Sequence, residues 1–341
     1  MIIKSIKLSN FRCHETFNFD FKKKTSVIIG ENGSGKTSVL EAIYIALSGK
    51  SFRATDTDII KRGAEFYRIE VDFLSGEKTV VVYGDNNGVF KKQFLVGEKK
   101  NLRLPKKYRY PVVLFLPGDL HLIESSPTRK RDFFDRILSE LDDSYSSLLS
   151  RYEKALRQRN DLLKKCSEYS LEEVRPMIFS WNVMLAKYGV EIRERREKMI
   201  AEINSRLTST YRSIAENSDE VLVSYNLQGD SVSESEYLAR LESELSRDLI
   251  LGHTGFGAHR DNYEFIFNGS EANGSASRGE VRSIILALKF IEAEMIYERV
   301  GKRPIVLLDD VFSELDETRQ KSLTSNFKDN QVIITSVDVV D

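Results

Sequence analysis

The chain has 341 residues, 41% hydrophobic and 30% charged, which fits a globular protein of two domains, or one domain carrying an insertion, and excludes a disordered or fibrous chain. Its 51 basic and 52 acidic residues nearly cancel, so overall charge gives no reason to bind nucleic acid and any basic surface must be local. Cys13 and Cys166 are far apart and form no paired motif, and no apolar run reaches the length of a membrane span or signal sequence; a cytoplasmic protein without a disulfide framework, zinc site or membrane contact is expected.

The first 117 residues read as strands with one helix. Residues 2–8 and 16–21 alternate as a hairpin, and 25–29 form an apolar strand running into a glycine-rich loop. Residues 38–48 place Val39, Ala42, Ile43, Ala46 and Leu47 at helical spacing. Further strands are predicted over 68–73, 79–83, 89–96 and 111–116, with Ser75-Gly76 and Asp85-Asn86-Asn87-Gly88 as turns. From 127 to 217 the texture becomes helical and charged. Leu148, Leu149, Tyr152, Ala155, Leu156, Leu162 and Leu163 form one stripe without a sustained heptad, Trp181 reads as core, and Pro176 predicts an interruption. A strand over 221–225 and a helix over 234–245 follow, and after residue 249 come strands at 263–267, 305–308 and 331–336 around a helix at 279–296. The expected architecture is an α/β nucleotide-binding lobe split between 1–117 and 249–341, with a mostly helical lobe inserted over 118–248.

Gly30-Glu31-Asn32-Gly33-Ser34-Gly35-Lys36-Thr37 has the spacing of a phosphate loop between strand and helix. Glycines let backbone N–H groups face phosphates, and the helix opening near Ser38 presents its positive end. Lys36 is expected to reach the β- and γ-phosphates of ATP and Thr37 to bind Mg²⁺. The partner half arrives near the other end of the chain. Asp309 and Asp310 terminate an apolar strand, the first placed for Mg²⁺ and the second to polarise an attacking water. Ser277-Arg278-Gly279-Glu280 precedes the last long helix. As a Ser-x-Gly-Glu segment ahead of that strand it matches an ABC-type signature, while Ser277 and Glu280 alone also spell an ordinary capping box. Ser313-Glu314-Leu315-Asp316 matches the D-loop that follows in such ATPases.

Together with Leu8-Ser9-Asn10-Phe11-Arg12, Ser51-Phe52-Arg53, Pro117-Gly118-Asp119-Leu120, Ser126-Pro127-Thr128-Arg129-Lys130-Arg131, Arg157-Gln158-Arg159-Asn160 and Gly257-Ala258-His259-Arg260-Asp261, these segments make the chain resemble the RecF family over most of its length. The chain departs from the family's pattern at Glu280 (usually Gln), Gly118 (usually Glu) and Ala258 (usually Pro). The resemblance implies an ABC-type ATPase head in which Ser277, Gly279 and Glu280 of one subunit, with Asp316, close on ATP held by another. It implies a slow, DNA-stimulated ATPase that dimerises with ATP on gapped or single-stranded–double-stranded DNA, and partners RecR, RecO and RecA.

Composition offers its own nucleic-acid surface. Lys91, Lys92, Lys99, Lys100, Arg103, Lys106, Lys107 and Arg109 face only Glu98, with Phe94, Tyr108 and Tyr110 interleaved. Such a strip suits phosphate contacts with base stacking, or else a sheet edge guarded by lysines. Arg129, Lys130 and Arg131 at a helix start are further candidates for DNA or ATP, whereas 193–198 reads as an exposed mixed-charge face. His259 has no second ligand nearby and reads as structural or nucleotide-adjacent. Competing functions are a short-armed SMC-like DNA tether, which needs long heptads, a small-molecule kinase, which needs no signature ahead of the acidic strand, and a transporter ATPase, which has no reason to bind DNA.

Overall fold

A computed structural model describes residues 2–85, 89–97, 99–165, 169–228 and 233–337. Cys166, Glu98 and the Asn86-Asn87-Gly88 turn lie outside the described residues. The chain forms two compact units, Met1–Leu120 with Glu292–Asp341, and His121–Ile291.

In the first unit, β1 (Ile3–Phe11), β2 (His14–Asp20), β4 (Phe66–Phe73), β5 (Lys78–Asp85), β6 (Phe90–Val96) and β7 (Lys99–Asn101) build an antiparallel sheet in the order β2-β1-β4-β5-β6-β7. Its strands alternate buried and exposed residues, most cleanly in β4, as expected of a sheet with one covered face. A second, parallel sheet has the order β3-β13-β12-β8, from β3 (Thr25–Ile29), β8 (Val112–Phe115), β12 (Ile305–Asp309) and β13 (Val332–Ser336). Here β8, β12 and β13 are buried at every residue. Helix α1 (Lys36–Ser48) is buried throughout 38–47 and packs against strands of both sheets, which explains why, Glu41 apart, it is apolar on every side over 39–47. The short α2 (Asp56–Ile59) follows it. The Gln331 side chain joins the sheets, accepting from the Ile3 N–H at 2.7 Å and donating to the Ile3 carbonyl at 2.8 Å.

The second unit holds α3 (Pro127–Leu141), α4 (Asp143–Lys165), α5 (Leu171–Ala215), α6 (Glu234–Ser243), α7 (Leu245–Leu251) and a one-turn α8 (Ala272–Ser275). An antiparallel sheet of β9 (Val221–Asn226), β10 (Asn262–Phe267) and β11 (Ser270–Glu271) completes it. Helix α9 (Arg278–Val300) begins in this unit and ends in the first, where α10 (Glu317–Asn326) lies between β12 and β13 in sequence. The return to the first unit therefore comes at Glu292, later than the expected residue 249, because β10 pairs with β9 instead of joining the parallel sheet. Pro176 does not interrupt its helix either. It lies in the second turn of the 45-residue α5, where a missing N–H forfeits one backbone bond. Trp181 is only half-buried, and Val183 and Met184 beside it are exposed.

Candidate nucleotide site

The phosphate loop is built by backbone geometry. The Gly30 N–H donates to the Ser336 carbonyl at 3.2 Å, which seats the loop's first residue on β13. Gly33 and Gly35 have φ of 84° and 95°, a region that side chains disfavour. At Gly35 a Cβ would also lie 2.4 Å from both Cys13 Sγ and His14 Nε2, and the His14 ring already contacts the Gly35 carbonyl at 3.1 Å. Glu31, Asn32 and Ser34 are exposed along the loop, while Ser38 is buried and its N–H returns to the Gly35 carbonyl at 2.9 Å.

Residues from opposite ends of the chain meet here. Lys36 Nζ donates to the carbonyls of Gly30 (2.7 Å) and Glu31 (3.2 Å) and lies 3.8 Å from Asp310 Oδ2. The Thr37 hydroxyl donates to the Asp309 carboxylate, 2.8 and 3.0 Å from its two oxygens. Burial raises the pKa of Asp309, with hydrogen bonds from Thr37 and Thr335 opposing the shift and the charge of Asp310 adding to it. A buried carboxylate facing a hydroxyl is an all-oxygen donor pair whose charge a small hard cation would compensate. Such a set fits Mg²⁺, which takes few protein ligands and completes its shell with phosphate oxygens and water.

Lys36, Thr37 and Asp310 border a cleft of about 460 Å³ also lined by Arg12, Cys13, Arg53, Asp58 and Ile60, none of which the motifs place in the site. Arg12 and Arg53 are both held by Glu41, a fully buried carboxylate on α1. Burial opposes its ionisation, but hydrogen bonds from Arg12, Arg53 and Ser51 and the charge of Arg53 outweigh this and lower its pKa. The available signal was Glu41 itself, the only charged residue between Val39 and Leu47 on a helix that is otherwise core.

Ser277, Gly279 and Glu280 open α9 in the second unit. The Ser277 N–H donates to Glu280 Oε2 at 2.6 Å and the Glu280 N–H to Ser277 Oγ at 3.3 Å, so the capping box is made. Ser277 is nevertheless exposed, with Gly279 and Glu280 half-buried, leaving a helix start accessible to a phosphate. Asp316 caps α10 through the Arg319 N–H at 3.0 Å and pairs with the Arg319 side chain.

The basic strip is only partly as expected. Lys99, Lys100, Arg103, Lys106 and Lys107 are exposed, as is Arg129 in the other unit. Phe94 and Tyr110 are core residues and offer no stacking surface, and Lys92 pairs with Asp56 at 2.6 Å. Lys130 is buried, and Arg131 donates to the Asp261 carbonyl at 2.8 Å. Only part of 193–198 is an exposed face, at Glu194, Glu197 and Lys198. Arg193 and Arg196 are buried against Asp261 and Asp135, 2.6 and 2.7 Å away; their partners lie far off in sequence, so the run alone looks solvated.

The same network claims the Gly-x-His-Arg-Asp segment. His259 Nε2 lies 3.1 Å from the Thr254 carbonyl, which can only accept, so Nε2 carries the proton and Nδ1 accepts from the Tyr152 hydroxyl at 2.7 Å. Burial pushes its pKa down to about 4. Arg159 donates to Asp248, Thr254 and Asn182, and Asn160 accepts from the Thr254 N–H and hydroxyl. His259 is thus a neutral structural residue of this lobe. Among the described residues no three His, Cys, Asp or Glu side chains gather to hold a metal.

Residues 1–173 match the AAA ATPase domain family. A DNA replication and repair protein RecF of Ruminiclostridium cellulolyticum is 33% identical over 98% of the chain and 92% of that protein. The RecF of Clostridium acetobutylicum is 30% identical over 100% and 94%. The chain belongs to the RecF family. A solved structure titled as the recombination mediator protein RecF with ATP in the RecFOR pathway covers 100% of the chain and 93% of its own, with a TM-score of 0.85 at 27% identity. An Smc head domain of Pyrococcus furiosus shares the fold at a TM-score of 0.50 and 15% identity. The ABC-type head with an inserted helical lobe is therefore the fold of this RecF-like chain, which stands among ATP-binding proteins of DNA replication and repair. Among the described residues no helix is long and apolar enough to cross a membrane.

Proposed function

We propose that this chain is an ATP-gated DNA switch of recombinational repair and replication restart. The carrying observation is that Lys36, Thr37, Asp309 and Asp310, from opposite ends of the chain, meet at the glycine-rich loop, while Ser277 stands exposed at a separate helix start in the other unit. In this reading the loop N–H groups and Lys36 bind the β- and γ-phosphates, and Thr37 and Asp309 hold Mg²⁺. That ion, when bound, neutralises charge on the transferring phosphate. Asp310 orients the attacking water. Ser277, Gly279 and Glu280, with Asp316, close on the γ-phosphate of a second copy, so ATP cements a two-fold dimer.

Lys99, Lys100, Arg103, Lys106, Lys107 and Arg129 supply phosphate contacts for gapped or single-stranded–double-stranded DNA. The RecFOR pathway in the solved relative's title supports RecR and RecO as partners, and in this reading RecA loading is the outcome. Hydrolysis is slow and rises with DNA, as suits a switch. Light scattering with ATP or ADP, with and without gapped duplex, tests the reading. A dimer should form with ATP and be favoured by DNA; a monomer under all four conditions refutes it.

A further inference from the structure

The last two residues of β13 bind both halves of the nucleotide site, and no sequence motif points to them. Ser336 accepts the first N–H of the phosphate loop, from Gly30. Thr335 stands opposite Asp309 in the parallel register and is fully buried. Its hydroxyl donates to Asp309 Oδ1 at 2.9 Å, with the Leu308 carbonyl a longer 3.4 Å away, and accepts the Asp310 N–H at 3.0 Å. A hydroxyl has one proton and two lone pairs, so this single oxygen orients the side chain of one aspartate and the backbone of the next.

Both aspartates need that support. Asp310 has φ of 49°, a left-handed conformation uncommon outside glycine and kept only where its surroundings hold it. The turn it makes there brings its carboxylate to Lys36, and the Thr335 hydroxyl is the acceptor that receives the N–H of that turn. On Asp309 the same hydroxyl occupies one side of Oδ1, so the carboxylate is turned toward Thr37. Threonine suits the task because its β-branched side chain has restricted χ1 freedom and favours strands.

We propose that Thr335 is a positioning residue of the ATPase, one hydroxyl setting the direction of both Asp309 and Asp310 relative to the phosphate loop. The proposal rests on the nucleotide-site reading above. It implies that the hydroxyl governs cation response and turnover, and that nucleotide affinity without divalent cation does not depend on it.

The test compares Thr335→Val, nearly isosteric but without the oxygen, with Thr335→Ser, which keeps it. A fluorescent ATP analogue is titrated in EDTA and then in rising Mg²⁺, and turnover is measured at saturating ATP. Thr335→Val is expected to bind in EDTA within about twofold of wild type, to need about tenfold more Mg²⁺ for the same gain in affinity, and to lose about tenfold in kcat. Thr335→Ser is expected to restore both. Wild-type Mg²⁺ response and turnover in Thr335→Val overturn the proposal, and so does a Thr335→Ser variant as impaired as Thr335→Val. Thr335→Ala is read in the same assays should the valine variant misfold; failure of both to give a folded protein by circular dichroism assigns the hydroxyl to folding and also overturns it. If the wild type binds ATP without hydrolysing it, the switch reading fails at its turnover step, and the Mg²⁺ titration still decides the role of Thr335.

Discussion

Glu41 shows how one buried charge can organise a site it does not enter. Its carboxylate accepts both guanidinium groups that line the cleft, at 2.8 Å from Arg12 and 2.9 Å from Arg53. Removing one partner of a buried ion pair leaves the others uncompensated and costs more than an exposed pair would. Glu41→Ala is therefore expected to destabilise the protein by about 2–3 kcal/mol, measured by urea denaturation, and to weaken ATP binding as Arg12 and Arg53 lose their anchor. His259 gives a pH signature. Its folded pKa of about 4 lies below the ordinary histidine value of 6.5, so the unfolded chain binds the extra proton first. Stability from this residue is intact above pH 6.5 and is lost as pH falls toward 4, by about 3 kcal/mol in all. Denaturation midpoints for His259→Gln should vary less over that window than those of the wild type; equal slopes would place the acid sensitivity elsewhere.

At the scale of elements, the phosphate loop depends on a hairpin outside its own motif. The β1–β2 turn brings Cys13 and His14 against Gly35, whose φ of 95° and missing Cβ are both required. Gly35→Ala should abolish ATP binding in a titration while leaving the circular dichroism of the helical lobe intact. Strand, loop and helix were legible in the sequence because their signals are local: an apolar run, glycines at fixed offsets, then helical spacing. The strand ending in Asp309 and Asp310 was legible for the same reason. What could not be read were pairings between distant segments. Arg193 and Arg196 sit in a charge run that looks solvated until Asp135 and Asp261 are brought to them. Phe94 and Tyr110 look like stacking residues beside lysines until the strand faces are known. The boundary near residue 249 failed because alternation in β10 reveals a strand and not its partner.

At the scale of the whole molecule, the proposed dimer makes a prediction that no single chain can fulfil. Lys36→Ala disables the loop and Ser277→Arg the helix start, and each alone should be inactive. Mixed in equal amounts, half of the dimers would pair the two variants and carry one intact site, so about a quarter of wild-type ATPase should return. No recovery in the mixture would mean that each chain completes its own site. The DNA surface is tested separately. Charge reversal at Lys99, Lys100, Lys106 and Lys107 should weaken DNA binding and flatten its dependence on salt; unchanged binding would leave these lysines as guards of the β7 edge.

The strand order β3-β13-β12-β8 also dictates when the chain can become an ATPase. Among the described residues, the strand leading into the phosphate loop, Thr25–Ile29, has β13 as its one neighbour in that sheet, with Thr25 opposite Val332 and Ile29 opposite Ser336. The antiparallel sheet is complete by Asn101, so a growing chain can fold most of that layer early, from contacts near in sequence. Its phosphate loop must wait. Until the ribosome has released β13, β3 lacks its pairing edge, and until β12 has emerged Thr37 lacks the carboxylate 272 residues downstream. Incomplete chains of this protein should therefore be blind to ATP however well their first hundred residues fold.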